Sequence, residues 1–274
     1  MQQKTIKQEA VYQGIGLHKG QMAEIRFCPA ETDSGIIFVR TDLAQKPEIP
    51  ALVQFVTDTS RGTTIGKDGV QVYTVEHILA AVAGLGISNL RIEIDGIEPP
   101  AADGSCLPFV QVLQKAGILE QEAELSCIAL EQPVWIKEGD KYLVALPDDN
   151  FKISFNLLYD HPAIGSQFCE LDVAQDFISQ AAGARTFGFL AEFEYLKSQG
   201  LALGGSLDNA IVVGEMETLN PLRCPDEFVK HKILDMVGDL SLIGFPLKAH
   251  LIASRSGHAL NTRLAALIKK QLKK

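Results

Sequence analysis

The chain has 274 residues, of which 46% are hydrophobic and 22% charged, and a formal net charge of -9. This is enough apolar material for one large or two modest globular units, and the acidic balance argues against a nucleic-acid binder, which needs a basic surface. The first residues lack the apolar core of a signal peptide, no apolar run approaches bilayer-spanning length, and five cysteines lie scattered, so a cytoplasmic protein with free thiols is expected.

The opening reads as strand-dominated. Residues 4–14 alternate loosely and run into the turn-rich GIGLHKG of Gly14 to Gly20. Residues 23–27 and 36–40 read as strands, the second after the turn Asp33-Ser34-Gly35, and 52–73 as short strands or a hairpin. Thr74 is placed to cap the helical run that follows. That run is apolar almost all round, the mark of a buried helix; Glu76 and His77 are the exceptions. Ionisable groups inside an apolar helix are costly without partners. A metal ion is one such partner, and for the imidazole a backbone carbonyl is another. An alternating strand follows over 90–95, then a tight loop through Pro99-Pro100 and Asp103-Gly104-Ser105. A helix over 108–116 starts with proline in its first turn. The acidic, weakly patterned residues 118–127 mark a boundary between two units, 1–125 and 126–274.

The second unit opens with strands over 128–136, 141–146, 151–158 and 167–171, with a loop carrying His161 before the last. Arg185-Thr186-Phe187-Gly188 leads into an expected helix over 190–199. The glycine-rich 200–205 neither follows a strand nor opens a helix, which excludes a dinucleotide or phosphate loop. A buried strand is expected at 211–214. The stretch FVKHKILDMVGDLSLI, 228–243, reads as a helix with His231, Asp235 and Asp239 on one face and Val229, Ile233, Val237 and Leu240 on the other. An imidazole and a carboxylate one turn apart can share a metal ion. The spacing is common by chance, so it needs a third ligand from elsewhere. A strand at 250–254, the segment around His258, and a final helix over 259–273 with a lysine-rich end complete the chain.

Both halves run from strands to a His-bearing helix, a strand and a further helix, which suggests a duplicated unit. Packed face to face, they would bring His77 to His231 and Asp235. Three protein ligands with an open fourth position is the pattern of a catalytic zinc site.

Six segments carry a resemblance over essentially the whole chain: GIGLHKG at Gly14, TVEHILAAVAGLGISNLRIEIDG at Thr74, DGSCLPF at Asp103, ARTFGF at Ala184, HKILDMVGDLSLIG at His231 and SGHALN at Ser256. Together they are similar to the UDP-3-O-acyl-N-acetylglucosamine deacetylase family, zinc amidases at the committed step of lipid A biosynthesis. The resemblance implies an α+β fold of two similar domains, with helices sandwiched between two sheets and the active site at the domain interface. It implies that His77, His231 and Asp235 bind Zn²⁺, that Glu76 is general base, that Thr186, Lys232 and His258 act on the substrate, and that Asp239 orients His258. The two-histidine, one-aspartate donor set also suits Fe²⁺, and either His258 or Glu76 can protonate the leaving amine. The substrate is then an acylated UDP-sugar whose chain needs an apolar passage, expected from Phe187, Phe189, Leu190, Leu201, Ala202 and Ile211. His161 is a further candidate for substrate contact. A monomer is expected, with transient membrane-surface contact through the terminal lysines. The competing readings are a metal-dependent deacetylase of another N-acyl sugar and a non-catalytic metal-binding protein.

Overall fold

The computed structural model describes residues 1–271. The first half contains β1 (Gln2–Ile6), β2 (Ala10–Ile15), β3 (Met22–Pro29), β4 (Ile36–Arg40), β5 (Glu48–Pro50), β6 (Val56–Asp58), β7 (Thr64–Lys67) and β8 (Val70–Val72). These are followed by α1 (Glu76–Gly84), β9 (Leu90–Ile94), α2 (Leu107–Ala116) and β10 (Ile118–Glu124). Alternation does the sorting: Ala23, Ile25 and Phe27 of β3 and Leu90, Ile92 and Ile94 of β9 point into the core, with polar residues between them. The main sheet has the order β2-β3-β9-β4-β5. Strand β9 is antiparallel to β3 and parallel to β4. A parallel neighbour needs a crossover connection, and the chain between β4 and β9 includes α1. The hairpin expected within 52–73 is the small sheet β6-β7-β8. The acidic stretch after α2 is strand β10, which folds back antiparallel onto β1 and sets Ile118 opposite Ile6.

The second half repeats the plan. It contains β11 (Ile128–Ala129), β12 (Val134–Glu138), β13 (Lys141–Pro147), β14 (Phe151–Leu158), β15 (Ser166–Asp172), α3 (Val173–Asp176), β16 (Phe187–Phe189), α4 (Phe193–Ser198), β17 (Ile211–Val213), α5 (Glu227–Ser241), β18 (Leu247–Ser254) and α6 (His258–Gln271). Its sheet runs β12-β13-β18-β14-β15, with β11 also paired to β18. Strand β18 is antiparallel to β13 and parallel to β14. Order and polarity match β2-β3-β9-β4-β5 strand for strand. The repeat visible in two His-bearing helices therefore extends to the sheet topology.

The fold is α+β, with helices forming a layer between the two sheets. Helix α2 packs on β2, α6 on β12 and β13, α5 on β14 and β15, and α1 lies against α5 and α2. The α1–α5 crossing is close because residue 238 is glycine: a Cβ there would sit 2.1 Å from the Glu76 carbonyl oxygen.

Local expectations differ at two places. Thr74 does not cap α1; it has φ +51°, and its hydroxyl donates to Glu98 while Val75 takes the cap position. The segment after Arg185 forms β16, then a 3₁₀ turn at Leu190–Glu192, and only then α4, so the helix expected over 190–199 is shorter. A parallel partner, β17, captures residues 187–189 as a strand. The last three residues of the lysine-rich terminus, 272–274, lie outside the described residues.

Candidate metal centre

Helices α1 and α5 cross with their ionisable residues facing each other. His77 enters from α1, and His231 and Asp235 enter one turn apart from α5; all three are buried. His231 Nε2 lies 3.3 Å and His77 Nε2 3.7 Å from Asp235 Oδ1. The imidazoles are edge-on, with centroids 5.1 Å apart. One ligand atom from each residue falls within 4.8 Å of the others. Two donors on a tetrahedral Zn²⁺, each at about 2.0–2.1 Å, stand roughly 3.3 Å apart, close to both imidazole–carboxylate separations.

Two further observations favour a cation. Among the described residues, Asp235 Oδ1 is the buried side-chain oxygen with no hydrogen-bond partner, a costly state unless something else satisfies it. His231 Nδ1 lies 3.1 Å from the Ala184 carbonyl, which must take its N–H and so leaves Nε2 with a lone pair facing the cluster. Burial lowers the His231 pKa to about 3 against the pull of Asp235, with His77 and Lys232 adding to the lowering, and keeps the ring neutral. Burial works against ionisation of Asp235, but the neighbouring imidazoles and the Lys232 ammonium outweigh it and hold the carboxyl well below its usual range. Lys232 Nζ donates to Asp235 Oδ2 at 2.8 Å, leaving Oδ1 as the free oxygen. These are the donor types a divalent cation takes: imidazole nitrogens and an ionised carboxylate.

A second group of side chains borders the first. The His258 ring, at the start of α6, lies with Nδ1 3.0 Å from Asp239 Oδ2 and Nε2 4.0 Å from Glu76 Oε1. Asp239 is fully buried and also accepts from Asn261 Nδ2 at 2.9 Å and from the Thr63 hydroxyl. Burial favours neutral His258, yet Asp239, Asp235 and Glu76 outweigh it and raise its pKa to about 10. Glu76 is buried beside the cluster, and its Oε2 accepts the Thr63 N–H at 2.8 Å. Burial raises its pKa, against the pull of His258 and His77 and assisted by the Asp239 and Asp235 carboxylates.

The remaining sequence candidates divide by place. Thr186 lines a small, mostly apolar cavity together with His77, Leu17, Pro100 and Phe109. Lys232 Nζ lies over the Phe187 ring. Phe187 also packs edge-on against Phe228 and reaches the cluster through His231. Phe187, Phe189, Tyr159 and His161 form a continuous aromatic group. Leu190 is exposed at the surface, whereas Ile211 is fully buried and pairs with Phe187. Leu201 and Ala202 lie in a loop whose next residues bond to the carbonyls of His18 and Leu17, from the other half of the chain. Thr63, Asn261 and Glu227 are not among the residues expected from the sequence, yet Thr63 and Asn261 both donate to Asp239. Asn261 carries a usable signal, three residues after His258 on one helix face; Thr63, in the irregular stretch just before β7, carries none.

The sequence profile of UDP-3-O-acyl N-acetylglycosamine deacetylases matches residues 3–270. The chain is 50% identical over 265 residues to the UDP-3-O-acyl-N-acetylglucosamine deacetylase of Myxococcus xanthus, covering 96% of this chain and 84% of that one. It is 46% identical to the protein of the same name from Citrifermentans bemidjiense over 98% of this chain and 89% of the relative. Against the one from Saccharophagus degradans it is 47% identical, over 99% of this chain and 91% of the other.

Proposed function

This chain belongs to the UDP-3-O-acyl-N-acetylglucosamine deacetylase family, and from that membership we propose that His77, His231 and Asp235 form its catalytic metal centre. The enzyme removes the N-acetyl group of an acylated UDP-N-acetylglucosamine, a step of lipid A biosynthesis. The observation that carries the metal assignment is the unpartnered Asp235 Oδ1 between two imidazole nitrogens from opposite halves of the chain. Zn²⁺ is the proposed ion, and Fe²⁺ is the alternative that the same donors accept. The halves, 1–125 and 126–274, are proposed to act as two domains with the site between them.

A divalent metal held there would lower the pKa of a bound water from ~15.7 towards ~7 and polarise the amide carbonyl. Glu76 takes the proton of the attacking water. Its raised pKa moves it closer to neutral pH, where a general base is most effective. The Thr186 hydroxyl donates to the developing oxyanion, and loss of one such donor typically costs about 10²–10³ in rate. His258, kept cationic by Asp239, faces Glu76 across the site. It stabilises the oxyanion and supplies the proton for the leaving amine; the other route returns that proton from Glu76. Lys232 holds Asp235 Oδ2 and places a further positive charge beside the reacting groups.

The aromatic group of Phe187, Phe189 and His161, continued by Leu190, Leu201 and Ala202, is proposed to guide the acyl chain, with Ile211 backing Phe187 from the core. No helix among the described residues is long and apolar enough to cross a membrane. A monomer in the cytoplasm is proposed, meeting the membrane surface transiently through the lysine-rich terminus. The test is acetate release from the acylated UDP-sugar, from the same sugar without its acyl chain and from N-acetylglucosamine, each with Glu76→Ala as control. Turnover confined to the first and lost in the variant supports the proposal. Metal binding without turnover, or full turnover by the variant, overturns it.

A further inference from the structure

Glu227 is fully buried in the first turn of α5, four residues before His231. Its carboxylate accepts Arg185 Nε at 2.8 Å, Arg185 Nη2 at 3.1 Å and the Arg185 backbone N–H at 3.1 Å. It also accepts the Arg223 backbone N–H at 2.6 Å. Arg185, itself buried, donates Nη2 to the Pro221 carbonyl at 2.7 Å as well. One carboxylate therefore ties three stretches of chain together.

The neighbours of Arg185 in sequence belong to the site. The Ala184 carbonyl takes the Nδ1–H of His231. The Thr186 N–H bonds to the Gly104 carbonyl, and the Thr186 carbonyl accepts the Ile211 N–H. Glu227 and His231 stand one turn apart on the same face of α5. That face thus grips residues 185 and 184 in succession, with Thr186 next in line.

We propose that the Arg185–Glu227 pair is a positioning device that fixes the His231 imidazole and the Thr186 hydroxyl together. The inference rests on reading His77, His231 and Asp235 as the metal centre. Stability alone accounts poorly for the pair, because a buried ion pair is often no better than an apolar pair of equal volume. An apolar pair, however, could not hold the N–H groups of residues 185 and 223, nor set the height of the Ala184 carbonyl. The outer partners of a metal-bound histidine orient the ring and tune its affinity.

The test uses the full chain and Zn²⁺ itself, titrated against a chromophoric chelator, for wild type, Arg185→Lys, Glu227→Gln and His77→Ala. Circular dichroism and thermal unfolding run in parallel. The expected result is Zn²⁺ binding weakened about 10–100-fold in Arg185→Lys and Glu227→Gln. At saturating Zn²⁺, kcat falls while KM changes little. Variants that unfold at lower temperature but bind Zn²⁺ and turn over as wild type would show a merely structural pair and overturn the inference. Wild type that binds no Zn²⁺, or His77→Ala that binds it undiminished, would remove the metal-centre reading and this inference with it. Should the single variants fail to fold, the double variant Arg185→Gln/Glu227→Gln, which keeps an amide pair without buried charge, is read by the same criteria.

Discussion

His258 owes its charge to what surrounds it. Burial alone would leave the imidazole neutral, but the carboxylates of Asp239, Asp235 and Glu76 raise its pKa to about 10. The protonated form is the competent one, so its loss defines the alkaline limb of the rate profile. Asp239→Asn removes the strongest of those attractions, and the alkaline limb of kcat is expected to move to lower pH. A pH–rate profile with the limb unmoved would contradict this. Glu76→Ala is expected to lower kcat by about 10²–10⁴ while leaving the metal content of the purified protein unchanged. Elemental analysis beside steady-state kinetics checks both halves of that statement. His77, His231, Asp235 and Asp239 were legible in the sequence because helical spacing is local and their polarity breaks an apolar pattern. Glu227 was not. It immediately precedes Phe228, where an acid reads as an ordinary favourable charge at a helix start, and nothing local reveals its bond to a residue 42 positions away.

The crossing of α1 and α5 depends on an absent side chain. With a methyl group at residue 238, either the Glu76 backbone or α5 must move. Gly238→Ala is expected to destabilise the fold by about 1–3 kcal/mol through overpacking. Because the displaced segment carries Glu76 and His77, activity should fall further than the stability loss explains. Chemical denaturation and kcat on the folded fraction separate the two effects. The start of α5 carries a pH signature of its own. Burial works against ionised Glu227, but the donors of Arg185 and Arg223 outweigh it, and its pKa falls below the ordinary value. A depressed carboxylate contributes stability above its unfolded pKa and loses it as pH falls through the folded value. Glu227→Gln should therefore flatten the acid side of a plot of melting temperature against pH, although it lowers the temperature at neutral pH. Helices α1 and α5 were legible because each signals itself over several turns. Strand β16 was not, since three residues become a strand only through β17, more than twenty positions on. Strand β10 was hidden in the same way by its pairing with β1.

The whole molecule is two copies of one plan closed face to face, each sheet contributing a helix to the crossing. The sequence hinted at the duplication through two His-bearing segments. The order β12-β13-β18-β14-β15, matching β2-β3-β9-β4-β5, could not be read there, because strand pairing is long-range and each copy alternates on its own. An ion gripped by residues from both helices would tie the halves together. Its removal should lower the unfolding temperature, since a ligand at about 1,000 times its Kd stabilises the native state by roughly 4 kcal/mol. Whether both halves grip one ion is read from the metal stoichiometry of the purified chain, in wild type, His77→Ala and His231→Ala. One divalent ion per chain, lost when either half's histidine is removed and restoring deacetylation when added back to the stripped wild type, is the predicted result. An ion retained in full by either variant, or undiminished deacetylation by the stripped protein, would contradict it.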